Sequence, residues 1–207
     1  SIGFIIFVLG SGFWFDTHVI QTLPIIGLIL LAGIFLSSLF VPNPHHQRHE
    51  KAAHKFRATL KQPAVLAFLL AGLLMQFSHG IYYSFFSLYM ESFGYSRSGI
   101  GMLWSVGVVA EVFLFILMHR LLLRFGVREI MLGCLFIATL RWLLIGYGTE
   151  QLLLLVLAQI FHAFTFGAFH AAAIDCIRRL FEPANQGKAQ ALYSAFCFGA
   201  GGALGSY

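Results

Sequence analysis

Long apolar runs follow one another through this chain, and they leave few folds open to it. They cover Ser1–Phe15, Leu23–Val41, Ala64–Met90, Gly99–Leu123, Ile130–Gly148, Gln151–Asp175 and Ala189–Tyr207. A helix needs about 20 mostly apolar residues to cross the hydrocarbon core of a bilayer, and inside that core each backbone polar group must be satisfied within the segment itself. Successive runs of this length therefore predict an all-α membrane protein. Composition agrees: 59% of the 207 residues are hydrophobic and 10% are charged, against about 25% charged in an ordinary soluble domain.

The first run opens at Ser1 without an initiator methionine, and the last stops inside GGALGSY. No basic stretch with a small-residue cleavage site precedes the first run, so it is not read as a signal peptide. The expectation is a fragment cut within a helix at both ends.

One connection stands apart. VPNPHHQRHEKAAHKFRATLKQP, residues 41–63, is polar, punctuated by proline and basic. It divides the chain into two runs before and five after, and it is expected to be poorly ordered beside the membrane. Its Arg48, Lys51, Lys55, Arg57 and Lys61 lie on the same side as Arg120, Arg124 and Arg128 and as Arg178, Arg179 and Lys188, which together make 11 of the 13 basic residues. The opposite loops hold Arg97 alone. Positive charge collects on the cytoplasmic side, so the 42–63 linker is expected to be cytoplasmic. The net charge of +5 then reports orientation in the lipid bilayer, and no nucleic-acid partner is expected.

Polar groups at mid-depth are the candidates for function. A charge at the centre of a spanning helix costs roughly 2.5–3.5 kcal/mol on insertion scales, and such residues mostly face a bundle interior or a water-filled path. Glu111 sits at the midpoint of its run, Arg141 within about a turn of the next midpoint, and His162 at the middle of the sixth. Gln76 and His79 bracket the middle of the third. Gln76, His79 and Tyr83 (i, i+3, i+7) share one helix face, as do His162, Phe166 and His170 (i, i+4, i+8). A helix-to-helix hydrogen bond explains any one of these; four runs in a row with a polar group at one depth point to a shared cavity. Asp175, three and four residues before Arg178 and Arg179, reads as a local surface pair. Cys134, Cys176 and Cys197 are widely spaced and read as packing residues, and His45, His46, His49 and His54 form a loop cluster without cysteine, so no metal site is expected. Small residues in GMLWSVGVVA and FGAGGALG are a helix-packing signal.

These features bring out a resemblance. A basic cytoplasmic link between two helical halves resembles the central loop of the major facilitator superfamily. LLRFGVREIM is similar to the superfamily's short cytoplasmic signature, with Arg124, Gly126 and Arg128 in place and Leu123 where an acidic residue is usual. HGIYYSFFSLYMESFGYSRSGIGMLWSVGVVAEV resembles the phenylpropionate permease family, whose relatives are lactose permease and the nucleoside–proton symporters. The resemblance implies a major facilitator fold covering about helices 5–11 of 12. Residues 1–41 would be the last two helices of the N-terminal bundle, 42–63 the linker, and 64–207 the truncated C-terminal bundle. It further implies a secondary transporter: proton-coupled uptake of a small organic substrate, an aromatic carboxylate such as phenylpropionate. Glu111, Arg141 and His162 resemble a Glu, Arg and His that line the sugar and proton site of lactose permease. The carboxylate one turn after that His corresponds here to Thr165, so its role is not carried over, and Glu111 is left as the mid-membrane carboxylate.

Other readings are a sugar or nucleoside proton symporter of the same superfamily and, from another class, a seven-helix receptor. The receptor is disfavoured by a long basic cytoplasmic loop after only two spans and by the lack of an outer cysteine pair. Neither HExxH nor GxSxG occurs, so the chain is not read as an enzyme. Expected partners are the substrate, protons and lipid; no cofactor is expected, and the protein is read as a monomer.

Overall fold

The computed structural model describes residues 23–40 and 50–207, with side chains from 24–40 and 55–207. Among the described residues every regular element is a helix. The run Ser1–Phe15, residues 41–49 and the side chains of His45, His46, His49 and His54 lie outside them.

Four helices are long and apolar enough to cross a membrane: α3 (Pro63–Ser92), α4 (Arg97–Phe125), α5 (Val127–Tyr147) and α6 (Leu152–Leu180). They are preceded by α1 (Leu23–Ser38) and α2 (Glu50–Leu60). A last helical stretch, α7 over residues 183–205, is α-helical at Pro183–Tyr193, π-helical at Ser194–Gly201 and α-helical again at Gly202–Gly205. α6 contains a second π-helical segment, Ala163–Ala168.

Local chemistry sets the boundaries. Pro63 and Pro183 occupy the first turns of α3 and α7, where a missing N–H costs nothing and the fixed φ suits a helix. Pro183 thereby starts the last helix six residues before the Ala189 expected from hydropathy. Ser96 caps α4, its hydroxyl accepting from the Gly99 N–H at 3.2 Å, as a side chain at an N-cap does. Gly126 (φ 81°, ψ 166°) ends α4 and starts α5 in one residue, a backbone conformation essentially reserved for glycine. That single residue reverses the chain direction between the two spans.

The linker differs from expectation. EKAAHKFRATL forms α2, and it is docked on the bundle. Phe56 and Leu60 pack on a core of Val65, Phe68, Ala173, Ile177, Phe181, Ala189, Tyr193 and Cys197, with the Phe56 and Phe181 rings 5.6 Å apart. Lys55 Nζ meets Glu182 Oε1 at 3.0 Å. Good helix formers in this stretch, with Phe56 and Leu60 four residues apart on one face, outweigh its polarity.

Glycines bring α3 and α7 together. A Cβ on Gly201 would lie 2.7 Å from the Leu73 carbonyl oxygen, and one on Gly80 or Gly205 would run into the carbonyl of Gly202 or Phe77. Backbone meets backbone here because no side chain intervenes, as small residues permit in membranes. α4 and α6 also run side by side, with Gly107 facing Gln159 and His162, and Glu111 facing Gly167. The leucines of α3 at 66, 70, 74 and 88 are turned outward, as suits a lipid-facing side.

Candidate functional site

The polar residues singled out by depth lie between the helices of the bundle. Gln76, His79, Glu111, Arg141 and His162 are all buried, Arg141 to 1% exposure, while Tyr83 is 46% exposed at the edge of the group.

His79 and His162 come together from α3 and α6, with ring centres 5.3 Å apart. His79 is fixed at both nitrogens: Nδ1 is 2.8 Å from the Met75 carbonyl, and Nε2 is 3.5 Å from the Thr165 hydroxyl. A carbonyl can only accept, so the Met75 contact places the His79 proton on Nδ1. The single hydroxyl proton of Thr165 then serves either the His162 carbonyl, at 3.2 Å, or the unprotonated Nε2, but not both at once. Thr165 thus lies between the two histidines, in contact with both.

Around the two imidazoles lies a wall of rings. Tyr82 is 5.3 Å from His162, and Phe166 stacks on His162 at 5.5 Å with 10° between planes. Tyr83 is 5.9 Å from His79 and stacks on Trp104 at 5.7 Å. Arg141 reaches the cluster through Tyr82, its guanidinium carbon 4.0 Å from the ring centre. A cation over an aromatic face gains about 0.5–2 kcal/mol, most when desolvated. The Tyr82 hydroxyl in turn donates to Gln159 Oε1 at 2.6 Å.

Several polar atoms in this shell have no partner within the described protein: Arg141 Nε and Nη2, Gln159 Nε2, His162 Nδ1 and Glu111 Oε1. Buried polar atoms are normally satisfied, and a buried guanidinium left open is an exceptional attractant for an anionic oxygen. Hydrogen-bond donors and ring faces lie side by side here, as at Arg141 and Tyr82.

The structure does not bring all of the candidates together. Arg141 and Glu111 form no ion pair; among the described residues the ion pairs are Lys55–Glu182, Arg97–Glu91 and Arg179–Asp175. The last, at 2.9 Å, is the surface pair expected for Asp175. Glu111 instead packs against the π-helical segment of α6, where a Cβ on Gly167 would approach its Cγ to 2.9 Å. Gln76 lies at the α3–α7 contact, its Cβ 3.3 Å from where a Cβ on Gly201 would sit. His170 meets Tyr193 at 5.9 Å and Phe198 at 5.5 Å, and Phe166 reaches the same Phe198 ring at 6.2 Å.

Tyr82, Gln159 and Trp104 were not among the sequence candidates. Gln159 was legible, as a polar residue one turn before His162 in LLLLVLAQIFH. Tyr82 and Trp104 carried no signal that distinguishes them from other membrane aromatics.

Comparison with known proteins agrees with this picture. A family model described as the MFS_1 like family matches residues 1–207. The chain is 34% identical over 209 residues to the probable 3-phenylpropionic acid transporter of Escherichia coli (strain K12), an alignment covering 95% of this chain and 53% of that protein. The chain therefore spans about half the length of this curated relative. No solved structure matches. With a family match along its whole length and a relative sharing a third of its residues, the chain belongs to the MFS_1 like family of the major facilitator superfamily.

Proposed function

We propose that the full-length protein is a secondary transporter that takes up a small aromatic carboxylate together with a proton, across a bacterial-type inner membrane with the 42–63 linker cytoplasmic. The observation that carries this reading is the guanidinium of Arg141, buried, seated on Tyr82 and open at Nε and Nη2. Arg141 would hold the substrate carboxylate, the His162, Phe166 and Tyr83 rings would contact its apolar body, and Gln159 would orient Tyr82. The relative named as a 3-phenylpropionic acid transporter makes 3-phenylpropionate the first substrate to try. Alternating exposure of a midplane site is the general mode of such transporters.

Glu111 is the proposed proton carrier. It is the carboxylate at mid-depth, and it is not tied to Arg141, so its proton can come and go without breaking an ion pair.

The test is uptake of labelled 3-phenylpropionate by the full-length protein in vesicles with an inward proton gradient. Uptake should be lost in Arg141→Ala with membrane insertion intact. Unchanged uptake in that variant would remove Arg141 from substrate binding, and no uptake by the wild type would rule out this substrate.

A further inference from the structure

A groove of about 210 Å³ opens between α4, α5 and α6, away from the polar cluster. Leu121, Phe125, Ile137, Cys134 and Phe164 give it apolar walls, and Gly133 forms part of its floor. It lies toward the end of α4 that carries Arg120 and Arg124 and the start of α5 that carries Arg128, on the side where positive charge collects.

Charge is concentrated at the mouth. The Arg124 guanidinium rests over the ring of Phe125, 5.2 Å from its centre, and Phe125 is itself a groove wall. Among the described residues, Arg120, Arg124 and Arg128 take part in no ion pair. Glu129 also lines the mouth, but it lies in the first turn of α5 with Oε2 turned toward Gly126, 3.0 Å from where a Cβ there would sit. A carboxylate so placed answers the positive end of the α5 dipole, which leaves the arginines uncompensated. An apolar slot in a spanning bundle with a cationic rim at the cytoplasmic headgroup level has the chemistry of a phospholipid site: acyl chain inside, anionic headgroup outside.

We infer that this groove is a binding site for an anionic phospholipid, one acyl chain lying along Cys134 and Phe164 and the headgroup phosphate held by Arg124 and Arg128. The inference does not depend on the transported substrate.

Two substitutions separate its parts. Gly133 has open space where a side chain would project, with no atom within 4 Å, so Gly133→Leu fills the groove without strain. Arg124→Gln with Arg128→Gln removes charge from exposed positions and leaves the apolar walls intact. The full-length protein is reconstituted in vesicles with trace phosphatidylglycerol, or phosphatidylcholine, bearing a photoreactive group on one acyl chain. Labelled peptides are then mapped. Phosphatidylglycerol should label residues 130–137 and 164–168 in preference to phosphatidylcholine, with the two arginines each contributing about fivefold. The double arginine variant should equalise the two lipids, and Gly133→Leu should abolish labelling by both. Equal labelling of the wild type by both lipids means chain filling without headgroup recognition and overturns the inference. So does labelling that persists in Gly133→Leu.

Discussion

Arg141 and Tyr82 hold each other in place: the guanidinium lies 4.0 Å above the ring centre, and the hydroxyl of the same ring is tied to Gln159 at 2.6 Å. One side chain thus seats the buried cation and orients a neighbouring amide. The two tasks can be separated. Tyr82→Phe keeps the ring under Arg141 but leaves the buried Gln159 Oε1 without its donor, so KM for substrate should rise several-fold and stability should fall by about 1–3 kcal/mol. Tyr82→Leu removes the cation–π contact as well, worth about 0.5–2 kcal/mol, and should raise KM further. Uptake kinetics and unfolding temperature of the two variants read this out, and identical kinetics would show that Tyr82 does not position Arg141.

Glu111 gives a prediction on coupling. Glu111→Gln fixes a neutral side chain of nearly the same shape, so accumulation driven by a pH gradient should collapse. Substrate exchange at equal pH on both sides, which needs no net proton movement, should survive. A Gln variant that still concentrates substrate removes Glu111 from coupling; parallel loss of both activities makes it a binding residue.

The α3–α7 contact predicts a sharp contrast between adjacent glycines. A methyl on Gly201 must displace the Leu73 carbonyl, whereas one on Gly202 meets nothing within 4 Å. Gly201→Ala should destabilise the bundle by about 1–3 kcal/mol, the range for overpacking a well-packed contact, and Gly202→Ala should be neutral. Thermal unfolding in detergent measures both.

Docking of α2 rests on Phe56 more than on charge. Lys55 and Glu182 are both more than half exposed, and exposed pairs contribute about 0–1 kcal/mol. Phe56→Ala should therefore speed amide exchange across residues 50–60 markedly, while Lys55→Ala changes it little. The reverse order would mean that the ion pair holds the helix down.

Much of this architecture was legible because membrane spans follow from length and hydropathy alone. The starts of α3, α4, α5 and α6 fall within three residues of those read from Ala64, Gly99, Ile130 and Gln151. Burial of Glu111, Arg141 and His162 also followed from depth. What escaped was geometry that hydropathy does not encode. Helix α2 is set by Phe56 and Leu60 finding a surface on a distant part of the chain. That Glu111 and Arg141 form no ion pair depends on how neighbouring helices rotate about their axes, which depth leaves open. The π-helical segment Ala163–Ala168 of α6 likewise leaves no mark in hydropathy.

That segment sets the phase of α6. Before Ala163, α6 turns Gln159 and His162 toward Tyr82, Gly107 and His79; after Ala168 it turns Ala173 and Ile177 into the core beneath α2. A π turn closes i→i+5 rather than i→i+4, so the two halves share an axis but not a phase. A helical wheel drawn for either half misplaces the other. Adding or removing one residue within 163–168 would leave both halves helical and swing every side chain beyond it by roughly 100°, exchanging the faces that meet the histidine cluster and the core. The spare residue works as an angular spacer between the two.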